Sequence, residues 1–268
     1  MKTPRISASS YSNTAPLVWS FLYGANHGKV EIILDNAPAR SAELLLQGRV
    51  DAALVPVIAS QSIPGVKLIP DVCVGAKERV RSVRLVTRGS DLENVRSVSL
   101  DVSSRTSVAL TKIIFREFLG FEPEWRPADP DIDAMLAESD AALLIGDPAL
   151  ALSDPDTNSK TRDLGSFDLA ELWRSHTGLG FVFAMWMTTR DSCEIDFAAA
   201  RDEGLQHISE IAANYAPQTG LEISTLVEYL SDNISYSVEP SMQQGLELYL
   251  ELAYKHGLTE RKPEIRLI

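Results

Sequence analysis

Short β-rich runs alternate with segments of helical period in two separate series along this chain, and the tail is helical throughout. This order predicts an α/β protein built as two lobes. The first series covers residues 5–76 and the second residues 98–152. Between and after them lie two apolar runs, residues 80–86 and 179–187, that suit strands crossing from one lobe to the other. The reading is a discontinuous first lobe, residues 1–86 and 188–268, with a second lobe, residues 87–187, inserted into it. A ligand cleft is expected between them.

The elements follow in order. Residues 5–8 read as a strand, and the polar run Ser9-Ser10-Tyr11-Ser12-Asn13-Thr14 leads into a helix opened by Pro16, a residue tolerated in a first turn. Residues 30–34 form a second strand, Pro38-Ala39-Arg40-Ser41 opens a helix ended by Gly48, and residues 50–57 are a buried strand closing on Pro56. Two short strands are expected at 66–69 and 72–76. After the turn-rich stretch 89–94, residues 98–102 are a strand that passes through Ser103-Ser104-Arg105-Thr106-Ser107 into a helix with Leu110, Ile113, Ile114 and Phe118 inward. A strand at 123–126, a helix at 132–137 and a buried strand at 140–145 come next. The turn Gly146-Asp147-Pro148 precedes a helix at 149–152, and residues 153–161 read as an exposed loop. A helix at 169–174 precedes the return strand, and helices at 198–215, 223–230 and 241–256 complete the chain.

Two junctions carry candidate chemistry. Asn13 and Thr14 sit where a strand passes into a helix, the place where open α/β sheets bind ligands. Ser103, Ser104, Thr106 and Ser107 place four hydroxyls around Arg105 at another helix start. One hydroxyl suffices for a cap, and the first backbone N–H groups of a helix attract negative charge. Tyr11 is placed at the cleft mouth. Asp147 reads either as a turn and cap residue or as a proton acceptor. Arg40, Arg81 and Arg84 could add positive potential, although surface pairing is the commoner role in an acidic protein. Phe181, Phe183 and Trp186 read as core.

Composition narrows the classes. The 268 residues carry a formal net charge of −12, with 45% hydrophobic and 23% charged residues, which suits a globular protein. No basic face offers itself to nucleic acid, and no basic run suits a membrane surface. Residues 1–6 lack the apolar run of a signal peptide, so the expected location is cytoplasmic. Cys73 and Cys193 are expected as free thiols, and His27, His176, His207 and His256 make no metal-ligand spacing. Neither a metal nor a cofactor is expected.

Several segments together resemble one family. They are Ser10-Tyr11-Ser12-Asn13-Thr14-Ala15-Pro16-Leu17, Ser103-Ser104-Arg105-Thr106-Ser107, and Thr177-Gly178-Leu179-Gly180-Phe181-Val182-Phe183-Ala184-Met185-Trp186. With Gly48-Arg49-Val50-Asp51-Ala52-Ala53-Leu54-Val55-Pro56 and Ile145-Gly146-Asp147, they resemble the MqnA family of chorismate dehydratases in the futalosine route to menaquinone. Ser12 departs from the pattern where leucine is common, and Gly180 where proline is common. The resemblance implies a two-lobed type II periplasmic-binding-protein-like fold joined by two crossover strands. It further implies a lyase that converts chorismate, a small dicarboxylate, to 3-enolpyruvylbenzoate with loss of water. Asn13 and Ser82 are carried over as catalytic residues. Tyr11, Thr14, Ser103, Ser104, Arg105, Thr106, Ser107 and Asp147 are the expected substrate contacts.

Rival readings are the sister enzyme that makes dihydroxynaphthoate, a non-catalytic small-anion solute-binding protein, and the sensing domain of a transcription regulator. The Tyr-Ser-Asn-Thr-Ala-Pro-Leu wording of the first loop favours the dehydratase. The start of the chain shows neither a secretion signal or anchor cysteine nor a DNA-binding helix-turn-helix. Elimination from chorismate is driven by aromatisation, so the protein's task is to orient a dianion and stabilise shifting charge. The proton acceptor is left open between Asp147 and the substrate's own enolpyruvyl carboxylate.

Overall fold

The computed structural model describes residues 3–35, 38–89, 91–152 and 164–268, so the loop expected at 153–161 lies outside the described residues. The chain opens with β1 (Arg5–Ser9), α1 (Ala15–Leu22), β2 (Glu31–Asp35), α2 (Pro38–Leu46), β3 (Ala52–Pro56) and β4 (Lys67–Ala76). The second series is β5 (Val83–Thr87), β6 (Ser97–Asp101), α3 (Thr106–Ile113), β7 (Glu124–Ala128), α4 (Ile132–Glu138), β8 (Ala141–Ile145), α5 (Gly146–Leu152), β9 (Gly165–Asp168) and α6 (Leu169–Thr177). Return strand β10 (Phe181–Thr188) leads to α7 (Phe197–Leu205), α8 (Ile208–Thr219), α9 (Ile223–Glu228) and α10 (Pro240–Lys255).

Two five-stranded sheets result, ordered β2-β1-β3-β10-β4 and β7-β6-β8-β5-β9. In the first sheet, β10 runs antiparallel to both β3 and β4. In the second, β5 runs antiparallel to both β8 and β9. The other strands of each sheet run parallel, and each sheet thus receives one reversed strand on a segment arriving from the other lobe. The sequence reading had these two strands crossing between lobes. Instead β5 pairs only in the second sheet and β10 only in the first, because a strand satisfies its backbone within one ladder. The chain changes lobe in the linkers 77–82 and 178–180, which shifts residues 83–86 to the second lobe and 181–187 to the first. Buried Asp168 fixes the first linker. Its carboxylate accepts the N–H groups of Val80 and of Arg81, the latter at 2.7 Å, and also caps α6.

Other differences have local causes. The two strands expected at 66–69 and 72–76 are one ten-residue strand, with Pro70 tolerated where the pairing with β10 shifts register. Helix 198–215 breaks into α7 and α8 near His207, whose ring stacks on Trp19 with centres 3.6 Å apart. Gly204 on α7 lets that helix approach α1 closely, since a Cβ there would lie 1.9 Å from the Pro16 carbonyl oxygen. One apolar core runs through both lobes and contains the fully buried Trp173, Trp186, Phe115, Phe181 and Tyr249. Gly180 sits against α10, where a Cβ would meet the Met242 side chain. Among the described residues, no helix is long and apolar enough to cross a membrane.

Candidate functional site

The strand ends of both sheets face a cavity between the lobes, with about 590 Å³ of empty space counted out to its mouth. Its wall includes Tyr11, Asn13 and Thr14 from the first loop, and Ser104, Arg105, Thr106 and Ser107 from the start of α3. Val80, Val83, Leu54, Val74 and Phe183 supply an apolar floor. No Asp, Glu, His or Lys lines this cavity among the described residues.

The α3 terminus keeps its capacity for an anion. Arg105 occupies the cap position, and no side chain caps the first turn. The first-turn N–H groups therefore have no partner from a cap, and no acidic residue stands in that turn. The Thr106 hydroxyl is buried on the cavity wall with no hydrogen-bond partner among the described residues. Its carbonyl is held by the Tyr249 hydroxyl at 3.0 Å, which ties α3 to α10. Ser103 does not line the cavity. Its hydroxyl and N–H both go to buried Asp101, at 2.6 and 2.9 Å, shaping the turn ahead of the helix.

On the opposite wall, a short 3₁₀ turn, Ser12–Thr14, carries Asn13 into the cavity. The Thr14 hydroxyl is directed to the carbonyls of Ser9 and Tyr11, so it shapes the loop. Ser82 is fully buried behind the wall and does not line the cavity. Its hydroxyl accepts from the Tyr229 hydroxyl at 2.7 Å.

The lobes are clasped around the cavity. Asp147, at the start of α5, accepts from both the N–H and the hydroxyl of Ser12, the position where the resembled family commonly has leucine. Burial pushes the Asp147 carboxyl above the usual carboxylate range, and the bonds from Ser12 oppose this only in part. Burial likewise raises Asp101. The Tyr11 ring packs on Gly146, whose φ of 68° admits that close approach. Half-exposed Arg105 reaches across to Glu43 on α2 at 3.6 Å. Arg40 also faces Glu43, Arg81 faces Glu228, and Arg84 is held by Ser166 and Asp168, so none of the three lines the cavity.

A family profile described as menaquinone biosynthesis matches residues 4–255. The chain belongs to this family. As a member of the menaquinone-biosynthesis family, it is 32% identical over 236 residues to a chorismate dehydratase of Thermus thermophilus, covering 82% of this chain and 85% of that one. Solved structures share the fold at lower identity. Protein AF1704 of Archaeoglobus fulgidus superimposes with a TM-score of 0.68 at 15% identity, covering 95% of this chain and 97% of that one. The periplasmic aliphatic sulphonate binding protein of Escherichia coli gives 0.63 at 18% identity, covering 98% and 90%. The fold is thus the two-lobed periplasmic-binding-protein type.

Two contributors to this family member's site escape a reading of the sequence. Tyr229 lies in an apolar run that reads as one face of a core helix, and only the fold brings its hydroxyl to Ser82. Asp101 ends β6 as an ordinary strand residue in the pattern, yet its carboxylate shapes the turn before α3. The polar residue at the end of a buried strand was the one signal available for it.

Proposed function

We propose that this chain is an enzyme of the lyase class that removes water from chorismate, giving 3-enolpyruvylbenzoate in menaquinone biosynthesis. The observation that carries the reading is the facing pair across the cavity. An uncapped helix end with an unpartnered Thr106 hydroxyl lies on one lobe, and a carboxamide, Asn13, lies on the other. A dicarboxylate fits between a helix N-terminus and polar groups of this kind. The relative from Thermus thermophilus is a chorismate dehydratase, which supports the same assignment.

In this reading one ring substituent, a carboxylate, sits on the α3 N–H groups and the Thr106 and Ser107 hydroxyls, with Arg105 adding charge at the rim. Asn13 hydrogen-bonds the reacting region. The C–H bond of the ether-bearing carbon breaks, its electron pair forms the new ring double bond, and the neighbouring C–O bond releases the hydroxyl. The proton and the hydroxyl leave as water. Among the described residues the cavity wall offers no protein carboxylate or imidazole, and Asp147 is engaged with Ser12, so the proton acceptor in this reading is the substrate's own enolpyruvyl carboxylate. Tyr11, Thr14, Ser103 and Asp147 keep the two walls in register. We place the reaction in the cytoplasm, with the biosynthetic relative as support.

Incubating the purified protein with chorismate and following the ultraviolet spectrum tests this directly. Appearance of the aromatic absorption of 3-enolpyruvylbenzoate supports the reading. Unchanged chorismate, with the protein folded, would overturn it.

A further inference from the structure

We infer that the groove beside the interlobe cavity, lined by Arg105, Lys112 and Arg261, is the path by which the anionic substrate enters and the anionic product leaves. The inference deepens the proposed function and rests on it, since the traveller is taken to be a dicarboxylate. The groove holds about 1130 Å³ of empty space, about twice that of the cavity counted in the same way. Ser104 and Arg105 line both, so the two spaces adjoin at the start of α3.

Three walls build the groove, and each is anchored. One is the 3₁₀ turn Val57–Gln61 that follows β3. The second is the side of α3 that carries Arg105 at the cap, then Val108 and Lys112, residues spaced to share one helix face. The third is segment 258–261, beyond α10. Past that segment, Glu264 N–H donates to the Gln61 side chain at 3.4 Å and the Arg266 carbonyl accepts from Leu68 N–H at 2.8 Å, tying it to the first lobe. Before it, the His256 carbonyl accepts from Arg116 of the second lobe at 3.0 Å. The groove is thus bounded by both lobes.

Charge sets this groove apart from the rest of the surface. The chain carries 37 acidic and 25 basic residues, so a dianion approaching elsewhere meets repulsion. Here the balance is reversed, with three cations against one carboxylate, Glu260. Lys112 lies over the Trp125 ring at 5.7 Å, and Arg261 accepts from Thr259 through its backbone carbonyl alone. Among the described residues no carboxylate is within ion-pair distance of either cation. The Arg105 pair with Glu43, at 3.6 Å, joins two half-exposed side chains, a kind of contact that holds weakly. An arriving carboxylate exchanges with Glu43 and passes from the groove to the α3 N-terminus. A cleft lined by one sign of charge focuses the field and raises association rates by roughly ten- to a thousandfold.

The test separates a path from a resting place. Rapid mixing with 3-enolpyruvylbenzoate, followed by tryptophan fluorescence, gives kon and koff, and turnover of chorismate gives kcat. Lys112→Gln/Arg261→Gln should lower kon about three- to tenfold at low salt while koff and kcat stay within about twofold, and roughly 0.5 M salt should erase most of the deficit. Lys29→Gln/Arg49→Gln removes the same charge from exposed positions ahead of β2 and β3. That control pair should leave kon within about 1.5-fold. Ser62→Trp, on the groove wall and off the cavity, should slow kon and koff together by about fivefold or more with Kd within about twofold, because a narrowed passage delays both directions. Equal losses in the control pair, or unchanged rates in both groove variants, would overturn the path. So would a second equivalent of product in calorimetric titration of the wild type, which would make the groove a site of rest. With wild type active on chorismate, these outcomes bear on the path alone. A wild type that neither binds the product nor turns over chorismate overturns the proposed function, and the path with it.

Discussion

Thr106→Val is a perturbation for which the structure predicts opposite signs for stability and for binding. The Thr106 hydroxyl is buried without a partner among the described residues, so the free protein bears a desolvation cost that valine, of nearly the same shape, does not. The variant should be as stable as the parent or more so, by up to about 1 kcal/mol, a rise of roughly 2–4 °C in Tm for a chain of this size. The Tyr249 hydroxyl's bond to the Thr106 carbonyl is untouched, because it uses only the backbone of Thr106. Ligand binding should move the other way. A hydrogen bond to a carboxylate contributes about 1.5–3 kcal/mol, so affinity for the aromatic product should fall roughly ten- to hundredfold. Calorimetric titration with 3-enolpyruvylbenzoate, together with thermal unfolding, reads both quantities. A variant that loses stability and keeps full affinity would show that the hydroxyl serves the fold and not the ligand.

Other perturbations probe the remaining parts of the site. Asn13→Ala should cut kcat by about two orders of magnitude or more in a spectrophotometric assay with folding intact, and near-full turnover would remove Asn13 from the chemistry. Asp147→Asn should keep kcat within severalfold, because the carboxyl clasps Ser12 and lies off the cavity wall; a loss matching that of Asn13→Ala would make it the base. The same variant tests the raised Asp147 pKa. A raised native value means the folded state holds the proton more tightly, so wild-type stability rises, relative to the variant, as pH falls from above the native pKa to below the ordinary value of 3.8. Denaturant titrations across that range would contradict this if the difference grew toward high pH. Gly204→Ala should cost about 1–3 kcal/mol in the urea midpoint, since its Cβ would meet the Pro16 carbonyl and force α1 and α7 apart. An unchanged midpoint would show that the helices can separate without loss.

Local pattern carried much of the architecture. The apolar runs of β3 and β8 and the Pro-opened α1 lie within a residue or two of their expected places, because each is a strong pattern bounded by turn residues. β9, with the sequence Gly-Ser-Phe-Asp, gave no signal: four residues are too short to show alternation, and its place is set by pairing with β5. The sheet membership of β5 and β10 was likewise invisible, since an apolar strand reads the same in either lobe. At the site, the hydroxyl-rich α3 start stood out because it exceeded what a cap requires, whereas Asn13 alone reads as a cap and came from the family resemblance. The Tyr229 partnership with Ser82 was not legible, since it joins residues 147 positions apart through a side-chain bond that leaves no periodicity. The Ser12–Asp147 clasp, spanning 135 positions, is of the same kind.

A structure with 3-enolpyruvylbenzoate bound tests the central claim most directly. The account predicts the product between the lobes, one carboxylate on the α3 first turn within hydrogen-bond distance of Thr106 Oγ1, and Asn13 facing the ring from the other wall. Product bound elsewhere on the protein, or lying in this cavity with its carboxylates turned away from α3, would contradict it.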